Sequence, residues 1–531
     1  MQVHPTRAAV DLALAGIGTV VVGMVAREAA IVAWGGALLV GLAIARSVTE
    51  LSVARIRAAG FEMLWTSEPR QRRVARGETV ELEAEVRNRD TRAARYVQLR
   101  AIAAPELDVR LDPADGEVPA AGRLRVKVEL SAPRVGRYGL HGLSLEVQGN
   151  PGLFEVPLTF ANPFGLEVMP RPYAVAMRSA RGGRSRMAAE AGRPGLLSGD
   201  GNELRELREH QPGDPFKRIA WKASARRGVL LVRDYEQEER DVVWLVLDAS
   251  VELWSGTPGK APLDIAIDEV SAAAERHLAR GDRVGLAVVA SRVLAWLSPA
   301  RGPAHGIRIM SALSHATSTL DSDRSELDEA DVAVRVLEHM RPLDPAAARN
   351  VRSHDLDRIA RRADRLRPRA PFDVPEPFAG SARERSLRRY LAAFGIGSAP
   401  RLEPERPRTD RELAELFERV QTERPRPSVI YIWSPAPDPA ARPAVERALA
   451  RFRRRRVDLC WVSMSHAHAI PREGSPLMPA VADAVGLRAQ VAQERGERAL
   501  RHLGVRVERW RPRHSAPRVE AEPGSGQPPA A

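Results

Sequence analysis

Apolar and polar positions follow four different patterns along this chain of 531 residues. Residues 8–26 and 29–45 are almost unbroken apolar runs separated by Arg27 and Glu28. At about 1.5 Å per helical residue each is long enough to cross most of a hydrocarbon core of about 30 Å. They predict a transmembrane helical hairpin over 8–45, which would bring membrane lipid into contact with the chain. Small residues recur every four positions, as Ala15, Thr19 and Gly23 in the first run and Ala33, Ala37, Gly41 and Ala45 in the second. That spacing predicts that the two helices pack on each other along these stripes.

Between 61 and 172 the period changes to two. Val80, Leu82, Ala84 and Val86 alternate with Glu81, Glu83 and Glu85, and Leu124, Val126, Val128 and Leu130 alternate with Arg125, Lys127 and Glu129. One face buried and one wet predicts antiparallel strands. With further strands expected at 96–101 and 143–147, the economical fold is a small Ig-like β-sandwich. Residues 177–201, rich in Gly, Arg and Ser, have no period and are expected to be a linker. From 242 the pattern changes again: 242–247 is apolar without alternation, as in a strand covered on both faces. Helices are then expected at 263–280, 304–314, 410–422 and 441–455, and strands at 283–290, 293–297, 428–433, 457–463 and 505–510. Strands and helices in that order predict a mostly parallel sheet in a Rossmann-like α/β domain. Residues 321–408 interrupt it as a helix-rich insertion, and 511–531 read as a disordered, proline-rich tail.

Composition changes this picture little. A net charge of +13, from 81 Lys+Arg against 68 Asp+Glu, would suit an anionic surface. The arginines are scattered among acids, however, so no nucleic-acid partner is expected. The segment after the second apolar run carries Arg46, Arg55 and Arg57, whereas the turn between the runs holds one arginine. By the positive-inside tendency both termini and the soluble domains face the cytoplasm. The single cysteine, Cys460, sits in an apolar run and is expected to be buried and inert.

The run GNELRELREHQPGDPFKRIAWKASARRGVLLVRDYEQE at 201–238 resembles the signature of the bacterial family catalogued as domain of unknown function 58. Leu207, Arg208 and Glu209, then Pro212, Gly213 and Asp214, then Arg218 and Ile219, then the run from Trp221 to Arg226, then Asp234, Tyr235 and Glu236 fall in the family's order. RVGRYGL at 134–140 and NPFGL at 162–166 are similar to the end of the β domain in membrane-anchored members. The resemblance implies that 202–320 holds the signature and the first part of a von Willebrand factor A-like domain, completed by 409–510. It implies an interaction protein of the bacterial inner membrane that works with a MoxR-type AAA+ ATPase in assembly or maturation of protein complexes. Within the signature, Arg218, Trp221, Lys222 and Arg226 recur at three- and four-residue spacing, a surface able to bind carboxylates or to stack. The alternative, favoured from sequence, is that Trp221 anchors the segment to the sheet while the cations pair with Glu206, Glu209 or Asp214.

In a complete metal-ion-dependent adhesion site of such a domain, the first strand is followed by Asp-x-Ser-x-Ser. Here Asp248 and Ser250 match and Glu252 replaces the second serine. The later strand should end in a Ser-Asp or Thr-Asp pair, yet Ser434 is followed by Pro435, with Asp438 four residues on. Mg²⁺ takes oxygen ligands in near-octahedral geometry, so Asp248 and Ser250 would ligate it with Glu252 or Asp438 helping. With two positions altered, the balance falls to a pseudo-site in which Asp248 caps the loop or the following helix through backbone amides. His466 and His468 lack a third zinc ligand, and the basic run at 451–456 reads as an exposed helix end. No Ser/His/Asp set or paired acids converge, so neither an enzymatic activity nor a small-molecule substrate is expected. The competing readings are a metal-dependent adhesion protein outside the cytoplasm and a membrane protein that binds nucleic acid through 321–408.

Overall fold

The structure, a computed structural model, describes residues 3–66, 70–149, 151–171, 193–212, 214–239, 241–254, 256–378, 380–401, 406–437, 442–455, 457–464 and 477–509. Two apolar helices are followed by several sheets with helices between them, a mixed α/β fold. The chain divides into two compact units, one formed by 1–177 with 249–412, the other by 178–248 with 413–531.

The first unit begins with the helices Arg7–Ala26 and Ala29–Ala59, both long and apolar enough to cross a membrane. Thr6 caps the first, its hydroxyl accepting from the Ala9 amide at 3.4 Å. The two helices follow the expected four-residue stripes only in part, at Gly23. The close approaches are at Gly16, Gly23 and Gly35, where an added Cβ would meet the facing helix at 3.0, 2.7 and 2.7 Å, whereas Gly41 faces open space. In the first helix the buried positions Ala9, Gly16 and Gly23 recur every seven residues. Two turns of helix return a residue to nearly the same side, so Gly16 and Gly23 both face the second helix. The second helix also continues fourteen residues past Ala45. Its added turns bury Thr49, Val53 and Ile56, and Arg55 pairs with Asp90 of the β domain at 3.0 Å.

The two alternating runs pair with each other directly: Val80 stands opposite Leu130, Leu82 opposite Val128 and Ala84 opposite Val126. They form the centre of a four-stranded sheet, flanked by Phe61–Trp65 and Asp108–Asp112. A second sheet is built on Gly136–Gly149 and Phe154–Met169, joined by Ala94–Ala103. Inward-facing residues of both sheets meet in one core, with Leu82, Val126, Leu143 and Leu145 almost fully buried. Burial of each such aliphatic side chain contributes about 1.5–3 kcal/mol, which is why alternation predicts this domain well.

Residues 321–408 contribute the helices Glu329–Leu343, Leu356–Leu366 and Ala382–Ala393 around their own core of Val336, Ile359, Leu387 and Phe394. This bundle docks on the strand Gly136–Gly149. The Gly139 amide donates to the Gly395 carbonyl at 3.0 Å, and a Cβ on Gly139 would sit 1.9 Å from the Phe394 carbonyl oxygen. Beside this contact His141 and His339 meet through ring nitrogens at 3.1 Å, and His339 also bonds the Tyr390 hydroxyl at 3.0 Å. The helices Pro262–Ala279 and Pro303–Ser314 and the antiparallel pair Arg283–Val289 and Val293–Ala300 complete the unit. Arg134 joins the β domain to the first of these helices, holding the buried Asp264 with contacts of 2.9 and 3.3 Å.

The second unit carries four parallel strands in the order Val242–Asp248, Val429–Ser434, Asp458–Ser463, Arg506–Arg509. Every residue of Val242–Asp248 is buried, as its unalternated pattern requires. Cys460 is buried on the third strand, where desolvation pushes its thiol up to about 11. The helix Met478–His502 precedes the last strand. Its apolar residues Val481, Val485, Leu487 and Val491 are exposed, so no amphipathic period marks it in the sequence. Residues 193–201, expected within the linker, belong to the strand Arg193–Glu209. The remainder of that linker, His466, His468 and the tail lie outside the described residues.

Candidate functional site

The signature folds in the second unit as a hairpin with a helical cap. The strand Arg193–Glu209 runs antiparallel to Leu231–Glu239, and between them stand a 3-10 turn at Phe216–Arg218 and the short helix Trp221–Arg227. Three contacts fix the cap. Asp214 accepts both Arg208 nitrogens at 2.8 and 2.6 Å and the Gln211 amide at 2.8 Å. The Arg208 hydrogen bond is the largest cause of a carboxyl pKa of about 2, so Asp214 stays ionised. Buried Ser224 donates to the Ala220 carbonyl at 3.0 Å and accepts from the Leu231 amide at 2.9 Å, tying the helix to the strand. Ile219, Ala220, Leu231 and Val232 are buried beneath it.

Trp221 is not the anchor that the sequence favoured. It is 62% exposed, and Phe216 on the preceding turn is 74% exposed. Val229 and Leu230 are about half exposed after Gly228 ends the helix in the left-handed conformation, at φ 72°. Lys222 and Arg226, one turn apart, are exposed beside Trp221, as are Lys217 and Arg227, while Arg218 is half-buried. The anchoring falls to Ser224 and Ile219 because a helix of seven residues turns only one side inward. Asp214, expected among the acids that pair with these cations, is held by Arg208 instead.

The residues expected around a metal divide between the units. In the second unit buried Asp248 accepts from the Ser434 hydroxyl at 2.7 Å, and the Ser434 carbonyl accepts from the Trp461 indole at 2.9 Å. In the first unit Ser250 is fully buried and Glu252 lies in the 3-10 turn Val251–Trp254. Arg406, first residue of the helix Arg406–Thr422, donates through Nη2 to the Ser250 hydroxyl at 2.7 Å. The same nitrogen is 3.7 Å from a Glu252 carboxylate oxygen, and Nη1 is 3.9 Å from Asp410. Asp438 lies outside the described residues. Among the described residues no group of three or more His, Cys, Asp or Glu side chains is placed to hold a metal ion.

Residues 206–363 match the family model described as protein of unknown function DUF58. The chain carries a DUF58 region. An uncharacterized protein of Mycobacterium tuberculosis and one of Mycobacterium bovis are each 34% identical over 107 residues, 20% of this chain and 33% of the relative. The chain thus matches about a third of the length of these curated relatives. Among solved structures, a PapD-like domain of human CEP192 is 18% identical over 21% of this chain and 84% of that domain, at a TM-score of 0.16. Escherichia coli α2-macroglobulin is 12% identical over 84% of this chain and 55% of the other, at a TM-score of 0.17.

The DUF58 region contains the signature from Glu206 on, the buried strand, Ser250 and Glu252. It reaches into 321–408, which the resemblance read from the sequence left out as an insertion, because it includes the helix Glu329–Leu343 and most of Leu356–Leu366. It does not include Arg406. That arginine stands 156 residues after Ser250 in the chain, and no motif spacing connects the two.

Proposed function

We propose that this protein is a membrane-anchored, non-catalytic interaction protein whose DUF58 surface docks an acidic partner, with a MoxR-type AAA+ ATPase as the partner class. In this reading the β domain is an Ig-like sandwich and the parallel strands belong to a von Willebrand factor A-like domain. The two apolar helices lie in the bacterial inner membrane, and the soluble domains are in the cytoplasm. The reading rests on one observation: on the cap between the two hairpin strands Phe216, Trp221, Val229 and Leu230 are all exposed, as are Lys217, Lys222, Arg226 and Arg227. Several large apolar residues exposed on one short segment are informative where a lone exposed residue is not. Aromatic side chains with arginine are the groups that most often dominate interface energy, and the surrounding cations would steer a carboxylate-rich partner.

Capture of the full chain from solubilised membranes, followed by identification of what is retained, tests this. An AAA+ ATPase retained by the wild type and weakened about tenfold or more by Trp221→Ala is expected, the loss typical of an interface anchor. Absence of any AAA+ ATPase in the presence of ATP, of ADP and without nucleotide would sink the proposal. So would equal retention by Trp221→Ala and Lys222→Glu.

A further inference from the structure

The loop after the buried strand already holds a cation. Ser250 has its hydroxyl bonded by the Arg406 guanidinium at 2.7 Å, and the same side chain faces the carboxylates of Glu252 and Asp410 at 3.7 and 3.9 Å. Arg406 is only 19% exposed, Glu252 21% and Asp410 12%, so these charges interact in partly desolvated surroundings. The von Willebrand factor A-like resemblance would place a divalent ion at this loop. Mg²⁺ needs oxygens at about 2.0–2.1 Å in octahedral array. It would have to take the Ser250 oxygen from the guanidinium and leave a partly buried arginine beside a like charge, which is strongly unfavourable.

We infer that Arg406 is the resident cation of this loop and replaces the divalent ion, so that the site does not take Mg²⁺. A guanidinium keeps its proton at every physiological pH, whereas an ion exchanges with solvent. The charge is therefore built into the chain. The inference also accounts for one of the two positions at which the adhesion pattern departs. A glutamate at 252 is a poor substitute for a neutral serine ligand, but it is a suitable countercharge for the arginine that lies 3.7 Å from its carboxylate. In the other unit the Asp248 carboxylate is likewise engaged by a side chain of the protein, the Ser434 hydroxyl. This inference concerns the loop alone and does not depend on which partner the signature surface binds.

The test measures Mn²⁺ binding by electron paramagnetic resonance, and thermal unfolding with Mg²⁺ or with chelator, on the full chain in detergent. Wild type and Arg406→Lys, which both keep a cation, should bind no Mn²⁺ at this loop and unfold at the same temperature with Mg²⁺ and with chelator. Arg406→Met should gain Mn²⁺ affinity of about tenfold or more, the size expected when one opposing charge is removed at a partly buried site. Ser250→Ala in that background should abolish the gain. Saturable Mn²⁺ binding by the wild type that Ser250→Ala removes would overturn the inference, as would a folded Arg406→Met with no gain. Should Arg406→Met not fold, the wild-type and Ser250→Ala arms decide the matter between them.

Discussion

Trp221 and Ser224 lie three residues apart on one short helix and do opposite things. Ser224 is buried and closes the hairpin through the Leu231 amide, while Trp221 stands in solvent. Spacing marks Trp221 but not Ser224, and it does not say which side of a single helical turn faces inward, so the anchoring role read for Trp221 is the one that Ser224 performs. Arg406 is out of reach of sequence reading for another reason, since its partners are assembled only by the fold. At the same scale, the buried pair His141 and His339 makes a prediction about pH. Burial lowers the pKa of His141 from 6.5 to about 4 and, with the neighbouring ring, that of His339 to about 3. Both are therefore neutral in the folded protein near neutrality, whereas in the unfolded chain they take up protons below about pH 6.5. The unfolded state then binds more protons, so stability falls as pH is lowered from 6.5 toward 4. Each imidazole contributes up to about 1.4 kcal/mol per pH unit in that window. Denaturant titrations at a series of pH values should show this slope, and His339→Phe should flatten it; an unchanged slope would count against a neutral buried pair.

Among elements, those whose own burial writes a pattern are legible in the sequence. The runs at 80–86 and 124–130 alternate because each has one dry face, and they are paired neighbours. The strand Val242–Asp248 is apolar throughout because both its faces are covered. The helix Met478–His502 is not legible because exposed valines and leucines blur its period, and the docking of the 321–408 bundle is not because it depends on the absence of a side chain at Gly139. That dependence is testable. Gly139→Ala would push a methyl group against the Phe394 carbonyl, an overpacking cost of roughly 3 kcal/mol or more because backbone has to move. Thermal unfolding should shift down, and limited proteolysis should cut between the helices Glu329–Leu343 and Ala382–Ala393 before it cuts the β domain. Unaltered resistance would mean that the bundle is held elsewhere.

For the whole molecule, the second apolar helix matters most. It runs without interruption from Ala29 to Ala59, about 46 Å at the usual rise, and its last turns are packed into the β domain through Thr49, Val53 and Ile56. Spin labels at Trp34→Cys and Thr91→Cys should give a narrow distance distribution, the native Cys460 being buried. Three glycines inserted after Arg46 should broaden it; a broad distribution in the uninserted protein would mean that the helix bends there. With the apolar part of that helix in a bilayer, as proposed, the domain hangs on a post and not on a string. A flexible linker lets a domain sweep a hemisphere and raises its encounter rate with anything near the membrane. A post confines the β domain to one thin layer parallel to the lipid, facing one way, so any partner of that domain has to arrive at the right height.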